Sequence, residues 1–211
     1  MHRAAAILAA ALASLFAEDG FIPLFDGKTL DGWVQVGGAN GPHYIVEEGA
    51  IVCLPQKGNS GRLFYDREFS DFTLRFDLKL VENANNGVAI RTPKTGHVAS
   101  AGMEIQIIES SKRTAPLRPE QHHMSVYELI PARQGFMKPP GEWNAHEIHA
   151  EGRRLKITVN GAIVMDVDLG IVREPEVLKK HPGVLRPSGY IGWVGHNSRV
   201  EFRNVRLKPL K

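Results

Sequence analysis

The sequence predicts an all-β protein, folded as a sandwich or a barrel. Short segments in which apolar and polar residues alternate recur along the whole chain, and Gly, Pro, Asn and Asp residues separate them. No segment sustains the apolar spacing of an amphipathic helix. About a dozen short strands with turn signals between them are typical of all-β folds.

The length and the N-terminus indicate one exported domain. The chain has 211 residues, enough for a single domain with a sizeable core. Residues 4–16 form an apolar run that is too short to span a bilayer and follows a positively charged start. We therefore expect residues 1–17 to be a secretory signal peptide, residues 18–211 to form one domain, and the protein to be periplasmic or secreted. A buried N-terminal helix is disfavoured, because the run is not amphipathic.

Charge and cysteine content exclude several classes of partner. The formal net charge is +3, and the basic clusters are short, unlike the continuous basic surface of a nucleic-acid-binding protein. No cysteine follows the apolar run, so we expect no lipid-type membrane anchor. Cys53 is the only cysteine, which excludes an intrachain disulfide, and its apolar neighbours predict a core position. The sequence contains no pattern that indicates the oligomeric state.

Turn signals divide the N-terminal half into strands. Asp26-Gly27 and Asp31-Gly32 predict turns, and Glu48-Gly49 predicts a hairpin. The strongest alternation covers residues 72–80, where one face is apolar and the other polar, as in a sheet packed on one side. Residues 83–87 predict a loop. The remaining strands of this half are predicted at 44–47, 50–54, 63–65 and 88–91.

The C-terminal half follows the same pattern. Proline-containing loops are predicted at 112–123 and 134–141, and residues 174–181 predict one or two helical turns. Asn160-Gly161 is a strong hairpin signal. Strands are predicted at 126–130, 143–151, 154–159, 162–169, 189–194 and 200–207.

Residues 102–109 carry the most informative polar side chains. On a strand, Glu104 and Gln106 share one face, while Met103 and two isoleucines share the other. A bulge near Ile107-Ile108 would bring Glu109 to the face of Glu104, and bulges often re-aim side chains beside active sites. Carboxylates among aliphatic residues are costly unless they have a role, so we expect a functional site here. The alternative is a half-exposed strand with one solvated face.

Five separated stretches resemble the DUF1080 family. They are the opening Pro-Leu-Phe-Asp-Gly-Lys-Thr-Leu-Asp-Gly-Trp at 23–33 and the stretches at 85–91, 102–107, 139–144 and 202–205. They are spread in order along nearly the whole mature chain, although Asn86 stands where the family usually has Ser. The resemblance implies a concanavalin-like jelly roll of two antiparallel sheets. It also implies a carbohydrate substrate and a lyase and hydratase activity on 3-keto-glycosides.

The chemistry of such a substrate requires three kinds of group. A sugar ketone acidifies the neighbouring C–H, so a base removes that proton, the aglycone leaves from the next carbon, and water adds to the enone. The site then needs a base, donors for the developing enolate and an acid for the leaving group. We expect Glu104 to be the base, because partial desolvation raises the pKa of a carboxylate. Arg91 and Gln106 are the candidate donors, and His196 is the candidate acid.

Further polar side chains are expected to bind the substrate. These are Gln106, Glu109, Asn85 and Tyr127. Structural roles remain open for some of the candidates. Arg91 can form a purely structural ion pair with Glu104 or Glu109, and His196 can cap a loop. Asn85 can simply hold a turn.

Histidines raise the question of a metal. His122 and His123 are adjacent in a predicted loop, and His146 and His149 fall on opposite faces of a predicted strand. Neither pair has the spacing of a metal site, so we expect no metal and no cofactor. Assistance of the enolate by a divalent cation stays open.

Two other functions fit parts of the sequence. The spacing of Glu104, Gln106 and Glu109 matches the bulged strand of laminarinase-like retaining glycoside hydrolases, which need two carboxyl groups roughly 5–5.5 Å apart. The middle residue here is an amide that cannot ionise. A non-catalytic carbohydrate-binding module is the second alternative, since jelly rolls host many functions. It is disfavoured because Trp33 and Trp193 lie in strand-like contexts that predict burial.

Overall fold

The computed structural model describes residues 20–38, 43–56 and 61–210. The predicted signal peptide lies outside these residues. Within them, thirteen strands form two antiparallel sheets that enclose an apolar core, so the predicted all-β sandwich is confirmed. The same ranges contain no helix that is long and apolar enough to cross a bilayer.

The larger sheet contains eight strands. They are β1 Ile22–Pro23, β3 Tyr44–Glu47, β4 Ala50–Cys53, β6 Phe72–Leu80, β9 Trp143–Glu151, β10 Arg154–Val159, β11 Ala162–Asp168 and β13 Val200–Pro209. Seven of them lie in the order β11-β10-β9-β6-β13-β4-β3, and β1 pairs with β13. Strands β6 and β9 have the predicted bounds and are neighbours, with Phe72 opposite Ala150 and Lys79 opposite Trp143.

The smaller sheet contains five strands. They are β2 Trp33–Val36, β5 Arg62–Phe69, β7 Asn85–Thr92, β8 Met103–Ile108 and β12 Gly189–Gly195, in the order β2-β5-β12-β7-β8. The short helix α1, Val98–Ala101, connects β7 to β8, and α2, Pro175–Lys180, confirms the predicted helical turns. Strand β8 is the last of this sheet. Backbone hydrogen bonds of Glu104 and Gln106 hold the segment 124–127 along it.

The bounds of several predicted elements differ from the structure. Strand β7 begins at Asn85, inside the predicted loop 83–87. Strand β5 is predicted at 63–65 but extends to Phe69. The charged residues 66–68 hide the strand pattern in the sequence, yet β12 pairs with this part of β5 as far as Phe69. Residues 126–130 are not a strand. Val126 makes only isolated bridges to Ile105 and Ile130, since the chain turns back on itself there.

The two faces of the larger sheet confirm the predicted separation of apolar and polar residues. The five apolar side chains of β6 are buried in the core. On the opposite face, ion pairs join neighbouring strands: Arg75 with Glu147, Lys79 with Glu201, and Arg203 with Asp77. Salt bridges that are partly exposed contribute little each, so the sandwich is stabilised mainly from its apolar side.

The core contains the residues that the sequence assigned to it. Trp33, Trp193 and Cys53 are buried. The ring of Trp193 stacks on Phe202, with centroids 4.0 Å apart. Burial raises the pKa of the Cys53 thiol to about 11, which keeps it protonated and unreactive at neutral pH.

A buried pair of histidines joins the segment beside β8 to the larger sheet. Nε2 of His123 lies 3.0 Å from Nε2 of His146. Nδ1 of His123 accepts from the backbone N–H of Ile108, and Nδ1 of His146 lies 3.0 Å from the carbonyl oxygen of Asn144. A backbone N–H only donates and a carbonyl only accepts. One arrangement therefore satisfies all three contacts, with neutral rings protonated on Nε2 of His123 and Nδ1 of His146.

The surroundings keep both rings neutral. Burial lowers the pKa of His123 well below its ordinary range, and the neighbouring His146 lowers it further. Burial also lowers the pKa of His146, to about 4. The ring of His146 stacks nearly parallel on Phe76, with centroids 5.1 Å apart. The predicted placement of His146 and His149 on opposite faces of β9 is confirmed, but the sequence did not indicate the pairing with His123.

Acid is expected to destabilise the fold through this pair. An unfolded histidine titrates near 6.5, whereas the pKa of folded His146 is about 4, so below pH 6.5 the unfolded chain binds more protons. The contribution of neutral His146 to stability is therefore complete above pH 6.5 and is lost as the pH falls towards 4. We expect the free energy of unfolding, measured with urea, to fall between pH 7 and pH 4.5. The fall should be about 2–3 kcal/mol larger for the wild type than for His146→Gln.

The matched control is His149→Gln, on the solvated face of β9, which should follow the wild type. An equal loss of stability with acid in wild type and His146→Gln would contradict the assignment.

Candidate functional site

The outward face of the smaller sheet differs from that of the larger sheet, because loops and α1 cover it. A small apolar cluster, separate from the core, lies on this face. Its buried members are Phe64, Ala89, Val98 and Val194. A row of paired residues crosses the sheet here from β5 to β8: Phe64, Gly192, Ala89 and Glu104. The next row contains Arg62, Val194, Gly87 and Gln106. The predicted shared face of Glu104 and Gln106 therefore lies away from the core.

Glu104 is buried on this face, with 5% of its surface exposed. Its side chain leans across the neighbouring strand over Gly87. A Cβ at Gly87 would lie 2.4 Å from Oε1 of Glu104 and 2.7 Å from its Cγ. The missing side chain of Gly87 therefore makes the space that the carboxylate occupies.

The carboxylate reaches His196, which lies just beyond the end of β12. Oε1 of Glu104 is 3.3 Å from Nε2 of His196. The side chain of His196 is 41% exposed and that of Glu104 only 6%. A buried carboxylate thus contacts an imidazole that solvent and a ligand can reach, which is a suitable arrangement for moving a proton.

A cleft of about 340 Å³ opens above this pair. Its described lining consists of Arg62, Gly96, His97, Val98, Glu104, Val194, Gly195 and His196. Arg62 supplies the permanent positive charge, and its Nη1 donates to the carbonyl oxygen of Gly96 at 2.6 Å. None of the described lining residues is Trp, Tyr or Phe. The volume lies within the range of small-molecule sites.

Gln106 and Asn85 form a second polar contact on the same face. Nε2 of Gln106 donates to Oδ1 of Asn85 at 3.2 Å, and the backbone N–H of Asn85 donates to Oγ of Ser198. Asn86 points the other way, into the core, and its Oδ1 accepts from the N–H of Gly87. The position where the family usually has Ser therefore supports the backbone beneath the site.

Tyr127 lies in the segment beside β8 and is half-buried. Its backbone N–H donates to the carbonyl oxygen of Glu104 at 2.9 Å. The ring is not part of the lining of the cleft. Its contribution to substrate binding stays a prediction.

The predicted bulge at Ile107-Ile108 is wrong. Strands β7 and β8 pair without a register shift from Asn85–Ile108 to Ile90–Met103. The strand ends at Ile108, and the carboxylate of Glu109 accepts from the N–H groups of Asn83 and Ser111, both at 2.8 Å. Glu109 therefore does not join Glu104 on one wall. It lines a different cavity, of about 620 Å³, beyond the end of β8.

Arg91 does not join the group around Glu104 either. A bulge in β7 gives Arg91 a positive φ of 47°. Its guanidinium donates to the carbonyl oxygens of Ser70 and Gly152 and pairs with Asp71 at 3.1 Å. The alternative ion pair of Arg91 with Glu104 or Glu109 is not formed, because Arg91 instead ties the turn between β5 and β6 to the turn between β9 and β10.

The described residues contain no group of three or more His, Cys, Asp or Glu side chains arranged to hold a metal. Two residues of the cleft, Arg62 and His97, were missed from the sequence. Arg62 leaves no alternating signal, because the two residues after it, Leu63 and Phe64, are both apolar. His97 carries no such signal, because only the folding of the segment before α1 brings it to the cleft.

Comparisons with known proteins agree with this architecture. The family described as the 3-keto-alpha-glucoside-1,2-lyase-like domain matches residues 20–208. A "3-keto-disaccharide hydrolase" of Bacteroides thetaiotaomicron is 27% identical over 229 aligned positions, which cover 91% of this chain and 79% of that protein.

Two solved structures share the fold. A crystal structure from Parabacteroides distasonis, provisionally described as a glycosyl hydrolase, has a TM-score of 0.75 at 24% identity, covering 90% of this chain and 99% of that one. The endo-beta-1,3(4)-glucanase SCLam of family GH16 has a TM-score of 0.53 at 12% identity, covering 92% and 93%. The predicted jelly roll is therefore confirmed.

Substitution of Gly87 is expected to act through Glu104. The three heavy atoms nearest to a Cβ at Gly87 all belong to Glu104. Gly87→Ala should therefore cost about 1–3 kcal/mol of unfolding free energy in the wild type, as overpacking does. In a Glu104→Ala background the same change should cost much less. The measurement is a double-mutant cycle by chemical denaturation. Additive costs would show that the close approach does not position the carboxylate.

Proposed function

This chain belongs to the family of the 3-keto-alpha-glucoside-1,2-lyase-like domain, and from that membership we propose that it cleaves 3-keto-glycosides by elimination followed by hydration. The coarser part of the proposal, a hydrolase-type enzyme acting on carbohydrates, is supported by the name of the Bacteroides relative. The finer part depends on the chemistry of the cleft.

The observation that carries the proposal is the contact between Glu104 and His196. A buried carboxylate and a half-exposed imidazole lie 3.3 Å apart on a floor of small residues. Elimination next to a ketone needs a base for carbon and an acid for the leaving oxygen. The two groups can fill these roles, and each can restore the protonation state of the other between steps.

We propose the following steps. Glu104 removes the proton from C2, which the C3 ketone has acidified, and the C–H electron pair forms the enolate. The bond from C1 to the aglycone oxygen then breaks, and His196 protonates that oxygen. Water adds to C1 of the enone while a proton returns to C2. The sum is one 3-keto-glycoside and one water converted to a free 3-keto sugar and a free alcohol.

Arg62 replaces Arg91 in the proposal as the group that stabilises the enolate. It lines the cleft with a positive charge, whereas Arg91 is bound to Ser70, Asp71 and Gly152. Oriented donors at a developing oxyanion contribute strongly in a partly dry site. Gln106, with Asn85 behind it, remains the proposed contact for sugar hydroxyl groups.

The two alternatives have less support. Retaining hydrolysis needs a second carboxylate near Glu104, but Glu109 lines another cavity. A binding module typically offers aromatic rings to stack on sugars, and the described lining of the cleft contains none.

The substrate assay discriminates these functions. A 3-keto-glycoside with a chromogenic aglycone should be cleaved, and the matching unoxidised glycoside should not. In heavy water the released 3-keto sugar should carry deuterium at C2, because the proton there is exchanged. Mass spectrometry of the product checks this, with the 3-keto sugar incubated alone as the control for spontaneous exchange.

Other results would redirect the assignment. Cleavage of both glycosides with hydrogen retained at C2 would indicate retaining hydrolysis, and binding without cleavage would indicate a lectin-like module. We propose a reaction without a cofactor, so a chelator should leave the rate unchanged. A loss of activity that Mg²⁺ or Ca²⁺ restores would contradict that part.

Replacement of the base should abolish turnover but not binding. Glu104→Gln keeps the shape and removes the basic oxygen, so kcat should fall at least about a hundred-fold, with substrate affinity nearly unchanged. His196→Gln should also lower kcat, because it removes the proposed acid for the leaving oxygen. Glu142→Gln, an exposed position away from the cleft, is the matched control. Wild-type turnover by Glu104→Gln would rule out Glu104 as the base.

A further inference from the structure

A second cavity with an excess of arginine lies at one end of the sandwich. Its volume is about 330 Å³, and it opens where the turns between β5 and β6 and between β9 and β10 meet the segment 184–187. None of its described lining residues also lines the Glu104 cleft. It is therefore a separate concave surface, to which the proposed reaction assigns no role.

The charges around this cavity do not balance. The described lining contains three arginines, Arg91, Arg153 and Arg186, and one carboxylate, Asp71. The Asp71 carboxylate is committed to the protein, because its Oδ1 accepts from Arg91 and from the N–H of Gly152. One cation of the three is thus neutralised within the lining.

The two other arginines are held less firmly. Arg153 pairs with Asp168 at 3.0 Å, but both side chains are more than half exposed, so solvent screens the pair. Arg186 is half-buried, and its Nε is inaccessible to solvent and has no hydrogen-bond partner. Within the described ranges its guanidinium also forms no ion pair. Its Nε is therefore closed to a ligand, and an anion entering the cavity would be bound by the terminal N–H groups of Arg186, which have no partner within those ranges.

One side of the cavity wall is apolar. Leu169 and Val184 are buried, whereas Leu185 is 50% exposed. Pro187 completes this side. An exposed leucine beside arginines forms a surface with one apolar and one cationic half. Such a surface matches a ligand with one flat apolar face and one anionic group.

We propose that this cavity binds a small organic carboxylate carried on a single ring. The carboxylate accepts hydrogen bonds from Arg186 and Arg153, since guanidinium groups recognise carboxylates through paired N–H donors. The ring packs against Leu185 and Pro187, the exposed apolar residues of the wall. Arg91, neutralised by Asp71, forms the floor and keeps its bonds to the protein.

Calorimetric titration of the full chain with benzoate tests the proposal. Benzamide serves as the neutral probe of the same shape, and inorganic sulfate as an anion without a ring. We expect saturable binding of benzoate, weakened by added salt, with benzamide and sulfate each at least about ten-fold weaker. If benzamide bound as tightly as benzoate, the proposed role of the negative charge would be wrong. If sulfate bound as tightly as benzoate, the proposed role of the ring would be wrong.

Substitutions of the arginines that line the cavity test where benzoate binds. Arg186→Gln should weaken benzoate at least about ten-fold, and Arg186→Lys should restore only part of the loss, because lysine keeps the charge but not the planar fork. Arg153→Gln serves as a second test, since that side chain is exposed and its loss should not affect folding. Arg113→Gln, with the same change of charge on an exposed loop outside the lining, is the control.

The site would be refuted if Arg186→Gln and Arg113→Gln changed benzoate affinity equally. It would also be refuted if neither Arg186→Gln nor Arg153→Gln changed that affinity. Because no keto-glycoside enters this experiment, its failure would not bear on the proposed reaction.

Discussion

The site depends on the close approach of two neighbouring strands at a glycine. Where β7 carries Gly87, the side chain of Glu104 lies across it and reaches towards β12. With any side chain at position 87, the carboxylate would be displaced from His196. The packing of β7 against β8 therefore fixes the position of the group on which the proposed chemistry depends, and Asn86, on the opposite face, holds the N–H of Gly87 in place.

The sequence predicts those parts of the fold in which apolar and polar side chains alternate at every second residue. The alternation at 72–80 and 143–151 gave the bounds of β6 and β9, because one face of each strand packs on the core and the other meets water. The same rule placed Glu104 and Gln106 together. The bulge that would have brought Glu109 to the same face is absent. Strand β8 ends at Ile108, and beyond it local loop hydrogen bonds direct the Glu109 side chain.

Contacts between distant segments could not be read from the sequence. Arg91 lies in a motif next to the site strand, but a bulge turns it towards the end of the sandwich, where it bonds to two turns far along the chain. His123 meets His146 only because the segment beside β8 folds down on the larger sheet. Neither pairing leaves a local pattern. Both are specified by the tertiary packing, which alternation does not encode.

The segment 124–127 has a consequence beyond the placement of Tyr127. Strand β8 is the outer strand of its sheet and is rich in isoleucine, so an open edge there would attract strands from other molecules. The segment occupies the backbone groups of Glu104 and Gln106 that would otherwise serve as that template. Its irregular course, with only isolated bridges, prevents it from becoming a new flat edge. The part of the chain that borders the candidate site thus also protects the protein from edge-to-edge aggregation.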